Sequence, residues 1–135
     1  MDVMASTKAV AGTLVRRLRR WGTASLVVAG ALALFPRTRA FGVQTAMWGA
    51  VDLALAMAAV RRGAAPKRGP LRRLLLINTA LDVGYVAAGA HLAVRRPTFG
   101  GRLSAADALG HGVAVVIQGA ALFLLDLTAA RRLRR

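Results

Sequence analysis

The sequence predicts an all-α integral membrane protein, a bundle of four helices that cross a bilayer. Hydrophobic residues make up 56% of the 135 residues, and the mean hydropathy is +0.51. So small a soluble domain has no interior large enough for that much apolar surface. The 20 basic residues, against 5 acidic ones, fall in short clusters between apolar runs. This is typical of membrane-protein loops and not of a nucleic-acid-binding surface.

Prolines and arginine clusters separate the apolar runs and so set the limits of the helices. The four expected spans cover about residues 21–35, 41–60, 74–94 and 108–130, within a membrane domain of residues 21–135. Residues 1–20 are a basic, amphipathic segment that we expect at the level of the lipid head groups, with Trp21 as an interfacial anchor. Ser104-Ala-Ala-Asp107 resembles a capping box and predicts the start of the fourth helix.

The basic residues are distributed unequally between the two sides of the expected bundle. The N-terminal segment, the loop between the second and third spans and the C-terminal tail carry 15 of them, and the two other loops carry 5. Because cytoplasmic loops are enriched in Lys and Arg, this bias predicts that both termini are cytoplasmic. We therefore expect a multi-pass protein of the bacterial cytoplasmic (inner) membrane.

The second and fourth helices share a pattern that predicts an internal repeat. Val43–Ala56 aligns with Ile117–Ala130, and each segment contains the pattern Gln-x7-Asp-Leu. Two hairpins in the same orientation would be related by a pseudo-two-fold axis along the membrane normal. Chance similarity between two helices rich in Ala and Leu is the alternative.

The third span, within Leu71–Val94, carries an acid near its middle. Asp82 has Asn78 one helical turn before it and Tyr85 one turn after it, and Asp52 lies near the middle of the second span. No Lys or Arg lies in any expected span to neutralise these acids. Ionisable groups at that depth are costly, and they mark functional sites by default.

Three arrangements would satisfy these acids: a proton shared between Asp52 and Asp82, hydrogen bonds to nearby polar side chains, or a polar cavity that holds water. The functional interpretation is a proton or cation relay. We prefer the structural one, a hydrogen-bonded core that sets helix register, because no chain of acids leads to either surface. The expected buried polar network comprises Asn78, Asp82, Tyr85, Asp52, Gln44, Gln118 and Trp48.

Other charged and small residues have structural interpretations. Asp126 lies near Arg131 and Arg132 along the chain, so we expect an interfacial salt bridge. A stripe of small residues on the third helix favours close helix packing, within the bundle or in a homodimer. That stripe consists of Ala80, Gly84 and Ala88. The residues expected to hold anionic lipid head groups are Arg16, Arg17, Arg19, Arg20, Arg61, Arg62, Lys67 and Arg68.

His91 and His111 are expected at similar depth, near the outer ends of the third and fourth helices. A bis-histidine haem needs that geometry, although histidines near a membrane interface are more often simple polar caps. Cysteine is absent, which excludes disulfides, thiolate metal sites and cysteine catalysis. No phosphate-binding loop or metalloprotease motif is present, so we expect no enzymatic activity and no cofactor.

Several polar motifs occur together after Phe41. They are Asn78-x3-Asp82-Val83-x-Tyr85, Gln118-Gly119 and Phe123-x2-Asp126. With these motifs the chain resembles a family of small bacterial and archaeal integral membrane proteins that have four predicted helices and no established function. The resemblance implies the topology and the polar residues, and it supplies no activity. It also implies Asn at the position of Asp52, so an Asp52–Asp82 pair would not be a mechanism that the family shares.

The sequence thus predicts a non-enzymatic structural or accessory subunit, either a homo-oligomer or docked on a larger membrane complex. Its expected partners are anionic membrane lipids and other membrane proteins, and not nucleic acid. The alternative is a proton-coupled transporter or channel that uses Asp82 and Asp52. A weaker alternative is a haem- or pigment-binding membrane protein with His91 and His111 as ligands.

Overall fold

The computed structural model describes residues 3–134 and contains four helices joined by short connections. They are α1 (Val3–Ala33), α2 (Arg39–Arg62), α3 (Arg68–Arg95) and α4 (Ala105–Arg132). Residues 3–134 contain no strand, and the predicted all-α fold with four helices is confirmed. By length and apolar composition, α2, α3 and α4 are each able to cross a membrane.

The basic N-terminal segment is continuous with the first predicted span. Residues 3–33 form one continuous helix with no break near residue 20. The basic residues of Arg16–Arg20 lie in its middle, and α1 is not among the three helices apolar enough to span a membrane by composition. Glycines bring α1 against α2, because Gly22 meets Gly49 and Gly42 meets Ala29. The contacts with α2 therefore hold α1 in the bundle, although α1 itself lacks the apolar composition that α2, α3 and α4 share.

The central helix of the bundle is α4. It packs extensively against α3, also against α2, and more lightly against α1. In the part of the chain that the structure describes, the backbones of α2 and α3 make no close contact. The rings of Trp48 and Tyr85 bridge these two helices, with centroids 5.0 Å apart and planes at 74°. This is an edge-to-face aromatic contact.

The helices alternate in direction, which puts both ends of the described chain on one side of the bundle. We call this side, formed by the starts of α1 and α3 and the ends of α2 and α4, the basic end, and the opposite side the distal end. At the basic end, Leu75, Ala129, Ala130 and Leu133 form a small apolar cluster. Nε of Arg68 donates to the Leu133 carbonyl at 2.6 Å and so ties the start of α3 to the end of α4.

The helix pairs α1–α2 and α3–α4 form two hairpins that pack through glycines in a similar way. Gly42 and Gly49 of α2 face α1, and Gly112 and Gly119 of α4 face α3. The two hairpins therefore pack through corresponding glycine pairs, with a shift of 70 residues along the chain. The two copies of the Gln-x7-Asp pattern are 74 residues apart, which is about one helical turn more than the glycine pairs. Asp52 and Asp126 therefore do not occupy equivalent positions in the two helix pairs.

Local signals at the helix ends act as the sequence predicts. The Ser104 side chain accepts a hydrogen bond from the Asp107 backbone N–H at 3.0 Å, which confirms the predicted cap of α4. Pro70 lies in the first turn of α3, where backbone N–H groups have no partner within the helix and a proline costs little.

Candidate buried acid site

The middle of the bundle holds three acids, one from each of α2, α3 and α4. Asp52 is 1% exposed and Asp82 is 3% exposed, while Asp126 is half-buried. The carboxyl group of Asp52 is close enough to those of Asp82 and Asp126 to interact with them electrostatically. Asp82 and Asp126 interact with each other in the same way. The Asn78 side chain lies near the Asp126 carboxyl group, which puts Asp126 about one turn nearer the basic end than Asp82.

Helical spacing explains why Asp52 points inward. The buried residues of α2 follow one another at steps of three and four positions, which keeps them on one face of the helix. They are Gly42, Thr45, Gly49, Asp52 and Ala56. Because most of them are small, neighbouring helices approach closely, and the acid on the same face enters the interior.

Neither Asp52 nor Asp82 has a donor for its inner carboxyl oxygen. Within residues 3–134, Oδ2 of each acid is buried without a hydrogen-bond partner. Two amides that we predicted as donors are directed elsewhere: Asn78 lies near Asp126, and Nε2 of Gln118 donates to Oγ of Ser25 at 3.0 Å. The predicted network is therefore divided into separate groups of polar residues, and Oδ2 of Asp52 and of Asp82 is bonded to none of them.

Gln118 organises one of these groups. Its side chain is 2% exposed, and its Oε1 accepts a hydrogen bond from Nε1 of Trp21 at 2.7 Å. Trp21 thus donates inside the bundle, at the middle of α4, and not at a membrane interface as predicted. Ser25 and Thr45 are also buried polar residues, and neither belongs to the network that the sequence predicts. Trp21 and Ser25 are one helical turn apart, which is a signal that the sequence did contain.

A second group lies near the distal end. Nδ1 of His111 is 3.0 Å from Oε1 of Gln44, and because an amide oxygen only accepts, the imidazole N–H donates. His111 also lines an open cleft of about 370 Å³ together with Asp107 and Arg39. His91 is exposed on α3, so the structure does not bring it against His111, whose ring is turned toward α2.

Asp126 departs from its predicted salt bridge. Among the residues described, it forms no ion pair with Arg131 or Arg132, which are both exposed, and it meets Asn78 of α3 instead. The reason is angular: positions five and six residues further along a helix are about 140° and 240° around its axis. With the carboxyl directed at α3, neither arginine lies on the same face.

The predicted packing stripe faces away from the bundle. Ala80, Gly84 and Ala88 are all exposed, and a Cβ at Gly84 would meet nothing within 4 Å. Close approach between α3 and α4 occurs at Gly89 and Gly112 instead. A role of the stripe in a homodimer stays a prediction.

The residues predicted to hold lipid head groups occupy two different levels of the bundle. Arg61, Arg62 and Lys67 are exposed at the basic end, and Arg68 is half-buried there. The other four lie in the middle of α1, all of them exposed. They are Arg16, Arg17, Arg19 and Arg20.

Comparison with known protein families identifies the chain. It belongs to DUF6992, a family of unknown function, whose model matches residues 17–127. That range includes all three acids of the buried site and Gln118. No curated protein and no solved structure matched the chain.

Proposed function

We propose that this DUF6992 protein is a non-enzymatic integral protein of the bacterial cytoplasmic membrane, which it crosses four times with the basic end in the cytoplasm. Three helices have the length and apolar composition that a span requires. The fourth, α1, is packed along α2 through glycine contacts. The excess of basic residues at one end supports the orientation.

We further propose that Asp52, Asp82 and Asp126 take up and release protons inside the bundle, as part of a proton-coupled transporter or channel. The observation that carries this proposal is the buried Oδ2 atom of Asp52 and of Asp82, which has no partner in residues 3–134. A core that served only to set helix register would be expected to satisfy its polar atoms. An acid buried without donor or cation is costly, which favours a site that exchanges a proton.

Polar side chains lie on both sides of the acids along the bundle. Asn78 and Asp126 lie on the side of the basic end. The His111–Gln44 pair borders the open cleft at the distal end. The sequence favoured the structural role because no chain of acids leads to either surface. The placement of these polar groups on both sides of the acids favours the relay instead.

The test is proton flux into liposomes that contain the purified full chain, driven by a potassium diffusion potential and followed with a pH-sensitive dye. The compared variants are Asp52→Asn, Asp82→Asn and Asp126→Asn, with Arg61→Gln as the control. Arg61 is an exposed charged residue at the end of α2, outside the acid site and outside the distal cleft. Circular dichroism and gel filtration establish that each variant keeps its fold.

We expect flux through the wild type and the control, and flux at the level of empty liposomes for Asp82→Asn and Asp52→Asn. Infrared titration of the buried carboxyl C=O band supplies an independent measurement, because each Asn variant should remove one exchanging group. Wild-type flux equal to that of empty liposomes would refute transport. A pH-independent carboxyl band would also refute proton exchange.

A second candidate function is a structural or accessory subunit, alone as a homo-oligomer or docked on a larger membrane complex. The exposed stripe of Ala80, Gly84 and Ala88 supports it, since small residues let a neighbouring helix approach closely in a membrane. Native mass spectrometry after gentle extraction tests it, with Gly84→Leu against Gly30→Leu. Both glycines are helical and exposed, with open space around them. Selective loss of a partner or second copy from Gly84→Leu supports this role, and equal assemblies exclude this stripe as the contact.

A further inference from the structure

The register of α1 brings arginine side chains to an unusual depth. Trp21 hydrogen-bonds to Gln118, which lies at the middle of α4, and Arg17 is only four residues earlier in α1. Four residues of helix correspond to about 6 Å along the axis. Arg17 consequently lies well inside the length of α4, on the side of the basic end. If the helices cross a membrane as proposed above, this level is within the cytoplasmic leaflet.

A cleft between α1 and α4 contains this arginine. Arg17 and Arg132 both line it, together with the hydroxyl-bearing Thr13 and Thr128. Leucine side chains complete the walls. The enclosed space is small, about 10 Å³, enough for one oxygen-sized group. A larger anion would therefore sit at the mouth of the cleft and insert a single oxygen atom.

Within residues 3–134, neither guanidinium has an acidic partner. The three acids of the buried site, Asp52, Asp82 and Asp126, are directed into the bundle. Thr13 is held by Arg16, whose Nη2 donates to Oγ1 at 3.0 Å, so the Thr13 hydroxyl proton remains free to donate. The cleft thus offers two cations and one hydroxyl donor to a single anion.

We propose that Arg17 and Arg132 together bind the phosphate of one anionic phospholipid at the mouth of the cleft between α1 and α4. This inference rests on the proposed membrane location. Guanidinium groups bind phosphate oxygens through paired, charge-assisted hydrogen bonds. An arginine below the surface reaches toward the head groups with its long side chain. The leucine walls, on the same cleft as the two cations, suit a ligand that has acyl chains and not a free anion.

The test is lipid titration of the purified full chain in mild detergent, measured by native mass spectrometry. The probes are phosphatidylglycerol, the neutral phosphatidylcholine, and inorganic phosphate as a competitor. The double variant Arg17→Gln/Arg132→Gln is compared with Arg61→Gln/Arg62→Gln. The control removes the same charge from the basic end but leaves the cleft intact.

We expect the wild type to bind one phosphatidylglycerol about tenfold or more tightly than phosphatidylcholine, because both lipids carry the phosphate but the choline cation is repelled by the two guanidinium groups. The cleft variant should lose this preference, and the control should retain it. Equal weakening in both double variants, or equal binding of the two lipids, would overturn the proposal in favour of diffuse charge attraction. Displacement by equimolar inorganic phosphate would assign the site to a free anion and likewise overturn it. The assay does not depend on proton flux, so its failure and that of the transport proposal are seen separately.

Discussion

The closest approach in the bundle makes Gly112 the position where one added methyl group should matter most. A Cβ at Gly112 would lie 2.5 Å from the backbone nitrogen of Ala93 and 2.6 Å from the backbone oxygen of Gly89. Ordinary Cβ contacts begin at 3.4 Å, so α3 and α4 would have to separate by nearly 1 Å. Both atoms belong to the backbone, so no side-chain rotation relieves the clash.

The expected size of the effect follows from two opposing contributions. Overpacking of this kind costs about 1–3 kcal/mol or more, while replacing a helical glycine by alanine gains about 0.5–1 kcal/mol. Gly112→Ala should therefore lower the free energy of unfolding by up to about 2.5 kcal/mol. Gly84→Ala is the matched control, because it has open space around it and should raise stability by about 0.5–1 kcal/mol.

The assay is unfolding of the purified protein by sodium dodecyl sulphate in mixed micelles, followed by circular dichroism. Wild type, Gly112→Ala and Gly84→Ala are measured under the same conditions, since only differences between variants are needed. A Gly112→Ala variant as stable as Gly84→Ala would refute the inferred contact between α3 and α4. It would then also remove the basis for the glycine register of the two hairpins.

Two further predictions concern hydrogen bonds that the structure shows directly. Gln118→Leu should destabilise the bundle by about 2 kcal/mol, because it leaves Nε1 of Trp21 and Oγ of Ser25 unpaired, and the change should appear in tryptophan fluorescence as well as in unfolding. If Gln118→Leu were as stable as the wild type, these two hydrogen bonds would make no net contribution to the free energy of unfolding. Ser104→Ala should cost about 1 kcal/mol in the same unfolding assay through loss of the α4 cap, whereas Ser104→Asp, which keeps a side-chain acceptor, should restore most of it. Equal losses in both Ser104 variants would contradict the capping role.

Asp126 illustrates the limit of predicting a site from sequence. Its distance along the chain from Arg131 and Arg132 suggested a salt bridge, because sequence spacing measures separation along one helix. Which face of α4 turns toward α3 is decided by packing, and the packing turns Asp126 to Asn78. The sequence therefore predicted correctly that Asp52 and Asp82 are buried, but it did not predict that Asp126 is the third acid of the site.

The stripe on α3 shows the same limit. Small residues at four-residue steps indicate a face suited to close packing, but they do not say which neighbour uses it. Gly84 faces away from the bundle, and Gly89 makes the contact with α4 instead. Trp21 is a parallel case, since an aromatic residue beside arginines looked interfacial, yet its indole N–H reaches Gln118.

The sequence by itself determined the four helices, the cap at Ser104 and the burial of two acids, because these depend on apolar run length, on turn chemistry and on contacts within a few residues. The inward position of Trp21, the third acid at Asp126 and the arginine cleft were decided only by tertiary structure. Each depends on the rotation and the axial shift of one helix relative to another. Those two quantities arise where glycines allow backbones to touch, and the spacing of residues along a single helix does not contain them.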